Sequence, residues 1–99
     1  MFNNDLITKL TELKRQSEDS KVRLAELEIT EEAGNGLVRI AMNGNRELKS
    51  VKINADITQF ENEDLEDLIC VAFNRALDKV NELNEKEVMS SAQSLFSGM

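Results

Sequence analysis

The first quarter of the chain carries apolar residues at a helical spacing. From about Asn4 to Leu27 a single seam recurs at alternating steps of four and three residues, a period of 3.5 that is typical of coiled coils. The seam consists of Leu6, Leu10, Leu13, Ser17, Ser20, Leu24 and Leu27. The pattern predicts a long helix that packs either on its own domain or against a second subunit, with its two serines weakening the middle of the seam.

The pattern then changes to the alternation of a β-strand. Around Leu27 and Ile29, apolar and polar residues take turns. The segment Ala33-Gly34-Asn35-Gly36 predicts a tight hairpin turn, because Asn and Gly tolerate positive φ angles. Apolar residues at every other position, Val38, Ile40 and Met42, mark the second strand.

A third strand follows a second turn at Asn43-Gly44-Asn45. Its apolar residues are Leu48, Val51 and Ile53. Since Leu48 is out of phase with the other two, we expect a β-bulge near Lys49-Ser50. Residues 27–54 are therefore predicted to form a three-stranded antiparallel meander.

From residue 61 onward the helical period returns. Asn62 is a candidate N-cap, and the acidic residues that follow it suit the positive end of a helix. An apolar stripe at steps of three and four runs through Leu65, Leu68, Ile69, Ala72, Phe73, Ala76, Leu77, Val80 and Leu83. The pattern predicts a C-terminal helical region over residues 62–95, as one helix or as two.

One part of this region is apolar on every side. The six residues from Leu68 to Phe73 contain no polar side chain except the thiol of Cys70, and one face of a sheet cannot cover a whole helix turn. We therefore expect a second subunit to cover the outer face. The predicted dimer interface consists of Leu68, Ile69, Ala72, Phe73 and Ala76.

Taken together, the elements predict one α+β domain over residues 1–99 with the order α-β-β-β-α. A chain of 99 residues is long enough for one domain and not for two. It buries about 60–70 % of its unfolded surface, so a subunit partner would stabilise it.

Composition favours a binding protein over an enzyme. The chain has no His and one Cys, which excludes imidazole bases, Cys-His dyads, a Cys-built zinc site and an intramolecular disulfide. Cys70 lies inside the apolar run, where we expect a buried and inert thiol. The acidic cluster at residues 61–67 fits a helix start and matches no EF-hand spacing. We predict no catalytic centre, no cofactor, no metal site and no small-molecule substrate.

The sequence also predicts a cytosolic protein without a membrane partner. Its longest apolar run has six residues, against the ~20 that a membrane span requires. The start of the chain, Met1 to Asp5, has neither the basic flank nor the apolar core of a signal peptide. A single Cys agrees with a reducing compartment.

Charge is distributed unevenly along the chain. The net charge is −7, yet the basic residues concentrate in the first helix and in the second and third strands. The strand bases are Arg39, Arg46, Lys49 and Lys52. Because charges act within a Debye length of about 8–10 Å, such patches can hold a phosphate backbone on an acidic protein. The alternative is that these bases pair with acids of the C-terminal helix.

Six short motifs occur in order within residues 20–90. They are Leu24 to Thr30 (LAELEIT), Gly34 to Val38 (GNGLV), Asn43-Gly44 (NG), Val51 to Asn54 (VKIN), Leu65 to Ile69 (LEDLI) and Ala72 to Ala76 (AFNRA). In this order and register the sequence resembles the YbaB/EbfC family of small bacterial nucleoid-associated proteins.

The resemblance implies a homodimer shaped like tweezers that binds double-stranded DNA in the nucleoid and is not an enzyme. It implies that residues 1–27 form a projecting helix and that this helix contacts DNA. Some members of the family bind largely without sequence preference, and others prefer a short sequence. The bases of that helix are Lys9, Lys14, Arg15, Lys21 and Arg23. The alternative function is that of a small acidic dimeric chaperone that holds a client segment on apolar surface. Steep weakening of binding by salt separates DNA binding from client binding.

Overall fold

The computed structural model describes residues 4–54, 56 and 60–97. Helix α1 spans Asn4–Glu26, strands β1, β2 and β3 span Glu28–Ala33, Val38–Asn43 and Leu48–Ile53, and helix α2 spans Asn62–Ser97. The strands form one antiparallel sheet in the order β1-β2-β3. The predicted α-β-β-β-α order is confirmed, and the C-terminal region is a single helix of 36 residues. Neither helix, over its described residues, is long and apolar enough to cross a membrane.

The core lies between α2 and the first two strands. Alternate residues of β2 point toward α2. They pack against a stripe of α2 side chains, most of them small, at intervals of four residues. The fully buried members are Ala33, Val38, Ile40, Met42, Ala72, Ala76 and Val80. Because the stripe is built mostly from alanine, the helix axis approaches the sheet closely, and α2 packs on β1 and β2.

Strand β3 is not covered. Its Leu48, Val51 and Ile53 pair with Met42, Ile40 and Val38 and therefore lie on the same side of the sheet as the core. Their exposed fractions are nonetheless 49 %, 41 % and 39 %. The helix-facing side of the sheet is thus buried over two strands and open over the third.

The bulge lies where the sequence predicts it. Ala41 pairs with Ser50 and Met42 with Leu48, which leaves Lys49 as the extra residue of β3. The insertion returns Leu48 to the side of the sheet that Val51 and Ile53 occupy. Without it, the apolar face of β3 would end at Val51.

Two sequence expectations about α2 need correction. Ala72 and Ala76, expected to face a second subunit, are fully buried in this chain's own core and leave no surface for a partner. Cys70 is exposed and not buried, because the sheet covers only one side of the helix. Leu68, Ile69 and Phe73 are half-buried at the margin of the core.

Helix α2 also begins one residue off the predicted cap. The backbone carbonyl of Glu61 accepts the first helical hydrogen bond from the N–H of Leu65, at 3.2 Å. Glu61 therefore holds the cap position, and Asn62 is the first helical residue.

Helix α1 is anchored at its C-terminal end. Of its described residues only Leu24 is buried, and its carbonyl accepts a hydrogen bond from the N–H of Gly44 at 2.8 Å. A Cβ at residue 44 would lie 2.5 Å from that carbonyl oxygen. Gly44 is therefore required by the close approach of two backbones, and its φ is not positive. The seam residues Leu6, Leu10 and Leu13 are exposed.

A polar cluster joins α1 to α2 beside this anchor. The Arg23 guanidinium forms a salt bridge with Glu87, and its Nε donates to Glu87 Oε1 at 3.1 Å. Ser20 Oγ donates to the same carboxylate oxygen at 2.9 Å. The hydrogen bonds from Arg23 and Ser20 hold the pKa of Glu87 below its usual value. These contacts fix the last turns of α1 to α2 and to the turn between β2 and β3.

Replacing Gly44 with Ala should destabilise the protein by about 3 kcal/mol, the upper part of the range for overpacking, because backbone atoms cannot rotate away. Gly36→Ala is the matched control. Gly36 has φ +84 but no atom closer than 3.5 Å to an added Cβ, so it should lose only the ~1 kcal/mol of a left-handed residue. Urea unfolding measures both, and an equal or smaller loss for Gly44→Ala would contradict the close-approach argument.

Replacing Glu87 with Gln should change how stability depends on pH. A carboxyl whose folded pKa is lowered contributes stability above its unfolded pKa, and this contribution disappears as the pH falls through the folded pKa. We expect Glu87→Gln to lower the urea midpoint near neutral pH and to flatten the decline of that midpoint as the pH falls through the lowered pKa of Glu87.

The control for this variant is Glu12→Gln. The carboxylate of Glu12 also has a lowered pKa, but its partner Arg15 lies on the same exposed helix. Removing this ion pair therefore breaks no contact between two elements of the fold. Parallel pH curves for the wild type and Glu87→Gln would show that the cluster does not stabilise the fold.

Candidate nucleic-acid interface

The five basic residues of α1 are all exposed, but they lie in different directions around the helix. At about 100° per residue, Lys14 and Lys21 lie on one flank of the apolar seam and Lys9 and Arg23 on the other, while Arg15 lies opposite the seam. Lys14 and Lys21 are seven residues apart, which places them about 10 Å apart along the axis. The helix therefore does not present one continuous basic face.

Arg15 is engaged within α1. Its guanidinium forms salt bridges with Glu12 and with Asp19, the latter at 2.9 Å between Nη1 and Oδ2. The hydrogen bond from Arg15 lowers the pKa of Glu12, and the same bond raises the pKa of Arg15. The fork of this side chain is therefore directed at its own helix.

Arg23 is engaged as well. Its Nη2 donates to Ser20 Oγ at 3.1 Å, and its salt bridge reaches Glu87 on α2. Both guanidinium groups of α1 thus already have carboxylate partners. A phosphate would compete with those carboxylates for the same N–H donors.

The three lysines differ from the arginines. Among the residues that the structure describes, Lys9, Lys14 and Lys21 have no carboxylate within salt-bridge distance. The predicted set of five bases therefore divides into two structural groups. The pairing of Arg15 could have been inferred from the spacing of Glu12 and Asp19, three and four residues away. That of Arg23 could not, because its partner is 64 residues distant.

A groove of about 750 Å³ separates α1 from the C-terminal half of α2. Its walls are Leu13, Ser17 and Leu24 on α1 and Val88, Ser91 and Ala92 on α2, and Lys21 and Arg46 also line it. Gln16 Oε1 is buried in the wall without a hydrogen-bond partner among the described residues. The small side chains of Ser17 and Ser20 on α1 and of Ser91 and Ala92 on α2 leave this space between the helices unfilled.

The strand bases are also distributed over different surfaces. Arg39 and Lys52 are directly opposite on β2 and β3, on the side of the sheet away from α2, and Arg39 forms a salt bridge with Glu32 at 3.2 Å. Lys49 is the bulge residue. Arg46 lies in the turn before β3, where its Nε donates to Asn81 Oδ1 at 2.8 Å.

The surfaces described above present cationic side chains on α1 and on the sheet. Within the described parts of the chain, no three acidic or thiol side chains lie close enough together to hold a metal ion. What α1 presents is a set of exposed ammonium groups on its flanks. Such groups can hold anionic ligands through charge alone.

Comparison with known proteins points in the same direction. The model of the YbaB/EbfC DNA-binding family matches residues 1–95. A nucleoid-associated protein of Hahella chejuensis is 39 % identical over 87 residues, covering 88 % of this chain and 80 % of the relative. One of Neisseria meningitidis is 36 % identical over 97 residues, covering 95 % and 87 %.

A solved structure shows the same fold. The crystal structure of an uncharacterized protein from Helicobacter pylori superposes with a TM-score of 0.84 at 20 % identity, covering 93 % of this chain and 98 % of the other. The family match spans both helices and all three strands, so it includes the basic helix and the turn beside it. The chain belongs to the YbaB/EbfC family of DNA-binding proteins, which is not a family of enzymes.

Proposed function

We propose that this protein binds duplex DNA in the nucleoid as a homodimer, mainly through phosphate contacts and with weak sequence preference. The observation that carries the proposal is the set of three unpaired lysines on a projecting helix of a chain whose net charge is −7. The nucleoid-associated relatives support the DNA partner and the location.

The state of the basic residues favours phosphate contacts over base contacts. Specific reading of bases depends on bidentate groups, Arg with guanine and Asn or Gln with adenine. Both arginines of α1 are held by carboxylates. A lysine ammonium is a compact point charge that suits a phosphate without selecting a sequence.

The uncovered face of β3 supports a homodimer. We define the open corner as Leu48, Val51 and Ile53 together with Cys70 and Leu77 of α2. Asn81, within about 40° of Cys70 and Leu77 around the helix, bonds to the turn before β3, so this flank of α2 faces β3. The corner therefore joins the exposed apolar side chains of β3 to the exposed Cys70 and the half-buried Leu77 of α2.

A second copy of this chain is the occupant that fits the corner. On β1 a backbone carbonyl is already occupied, because Arg75 Nη1 donates to Glu32 O at 2.8 Å. Strand β3 is the opposite edge and is exposed along its whole length. Two such edges can pair antiparallel about a two-fold axis, which satisfies their backbone groups and covers both apolar faces.

Dimerisation determines the strength of the grip on DNA. The slope of log K against log salt is about −0.9 for each phosphate that a duplex-binding protein neutralises. Three lysines in each of two copies set an upper value of roughly 5 for the magnitude of this slope. A gel-shift titration with a random duplex at several salt concentrations tests the proposal. Binding that does not respond to salt, or no binding, would contradict it.

Lys14 and Arg15 offer a matched pair of neighbouring charges. Lys14→Gln should reduce the magnitude of the salt slope by about 0.9 for each copy in contact. Arg15→Gln removes the same charge but should change the slope less, because the guanidinium is already held by Glu12 and Asp19. Fluorescence anisotropy with a labelled duplex measures both slopes. Equal reductions would show that the intrahelical ion pairs do not restrict Arg15.

Val51 and Ser50 provide the corresponding test of the dimer. Val51→Glu places a charge on the open corner and should convert the protein from a dimer to a monomer of 11.2 kDa. Ser50→Glu, on the other face of the same strand, should leave the mass of the assembly unchanged. Light scattering coupled to size exclusion measures the mass, and circular dichroism confirms folding. A Val51→Glu protein with the wild-type mass would rule out the open corner as the interface.

A further inference from the structure

The turn between β2 and β3 places an arginine where the backbone favours glycine. The N–H of Arg46 donates to the carbonyl of Asn43 at 3.1 Å, and the N–H of Asn43 donates to the carbonyl of Glu47 at 3.0 Å. This is a hairpin turn closed by a bulge whose first residue takes the left-handed conformation, a position usually held by Gly or Asn. Arg46 has φ +65 there.

The side chain of Arg46 is held in place by a neutral group. Its Nε donates to Asn81 Oδ1 of α2 at 2.8 Å, which leaves the terminal nitrogens of the exposed guanidinium available. No carboxylate of the described residues lies within salt-bridge distance of it. Arg46 thus differs from Arg15, Arg23 and Arg39, each of which has a carboxylate partner.

The turn also brings Arg46 to α1. Asn45 Nδ2 donates to the backbone carbonyl of Lys21 at 2.9 Å, so the turn is bonded to the helix at that residue. Lys21 and Arg46 both line the groove between the helices. Two cations from segments 25 positions apart in sequence are therefore placed along one groove.

The acidic groups around this pair are already engaged. Glu87, which also lines the groove, accepts hydrogen bonds from Arg23 and Ser20. Glu47, next to Arg46 in sequence, accepts one from Asn43 Nδ2 at 2.9 Å. Glu87 is thus paired with Arg23 and Glu47 is hydrogen-bonded to a neutral amide, and among the described residues neither forms a salt bridge with Lys21 or Arg46.

We propose that Lys21 and Arg46 form a phosphate-binding pair at the mouth of the groove, which makes Arg46 a DNA-contacting residue outside α1. This inference rests on the proposed DNA binding and extends it to a second element of the fold. A guanidinium held at Nε still offers two N–H groups that can donate to two oxygens of one phosphate. The need for that fork accounts for an arginine at a position where the backbone favours glycine.

Arg46→Asn is the main test, because Asn tolerates the left-handed conformation and removes the charge. Measured below the melting temperatures of both proteins, its affinity for a random duplex should fall about eightfold for each lost contact at about 0.1 M salt, and the magnitude of the salt slope should fall by about 0.9 per contact. The melting temperature should not fall in parallel, since the backbone strain is relieved.

Two companion variants separate a local contact from general charge. Arg46→Lys keeps the charge, and we expect it to keep most of the wild-type slope with a smaller loss of affinity. Lys79→Gln removes one charge from an exposed position of α2 that does not line the groove, and it should change affinity and slope less than Arg46→Asn.

The outcomes distinguish this inference from the proposed function. If the wild type binds duplex DNA and Arg46→Asn binds with the same affinity and slope, the phosphate pair is wrong while DNA binding stands. If Lys79→Gln lowers the affinity and the salt slope as much as Arg46→Asn does, Arg46 acts only through the net charge of the protein. That result would also contradict the proposed phosphate-binding pair. If the wild type itself fails to bind, the proposed function fails first.

Discussion

A single helix can cover only about two strands, and the architecture of this protein follows from that limit. A helix with its side chains is about 10 Å wide, and neighbouring strands are about 4.8 Å apart. Here α2 supplies the only helical cover on the core side of the described sheet, and its alanine stripe binds it closely to β1 and β2. The third strand is left with an uncovered apolar face. A partner that covered this face would stabilise the protein.

The arrangement of charge depends on pairing more than on totals. A chain of net charge −7 still presents cations without a carboxylate partner, because the salt bridges of the described residues involve three arginines and no lysine. Glu12 and Asp19 hold Arg15, Glu87 holds Arg23, and Glu32 holds Arg39. The lysines and Arg46 remain open. A count of charges per segment cannot separate the salt-bridged arginines from the other cations, because it treats a paired guanidinium and an unpaired ammonium as equal.

The sequence predicted the elements well where one local rule dominates. The alternation of Val38, Ile40 and Met42 marked β2, and the phase error at Leu48 located the bulge. It failed where two distant segments meet. The apolar run from Leu68 to Phe73 could not show which side would face the sheet, although the small residues Ala72 and Ala76 marked the side of closest approach. Residue 44 must be glycine because the backbone of Leu24, twenty positions earlier, approaches it closely. The positive φ of this turn occurs at Arg46 and not at Gly44.

The anchoring of α1 has a mechanical consequence. The helix is fixed near Leu24, and its described start at Asn4 lies about 30 Å away at 1.5 Å per residue. Because the anchor lies near one end of the helix, a tilt of about 10° about Leu24 displaces the far end of α1 by about 5 Å over that length. Lys9 lies near the far end of α1, and Lys21 lies close to the anchor at Leu24. If the protein binds duplex DNA as proposed, such a tilt shifts Lys9 relative to the bound backbone, while the cations nearest Leu24 keep a fixed spacing.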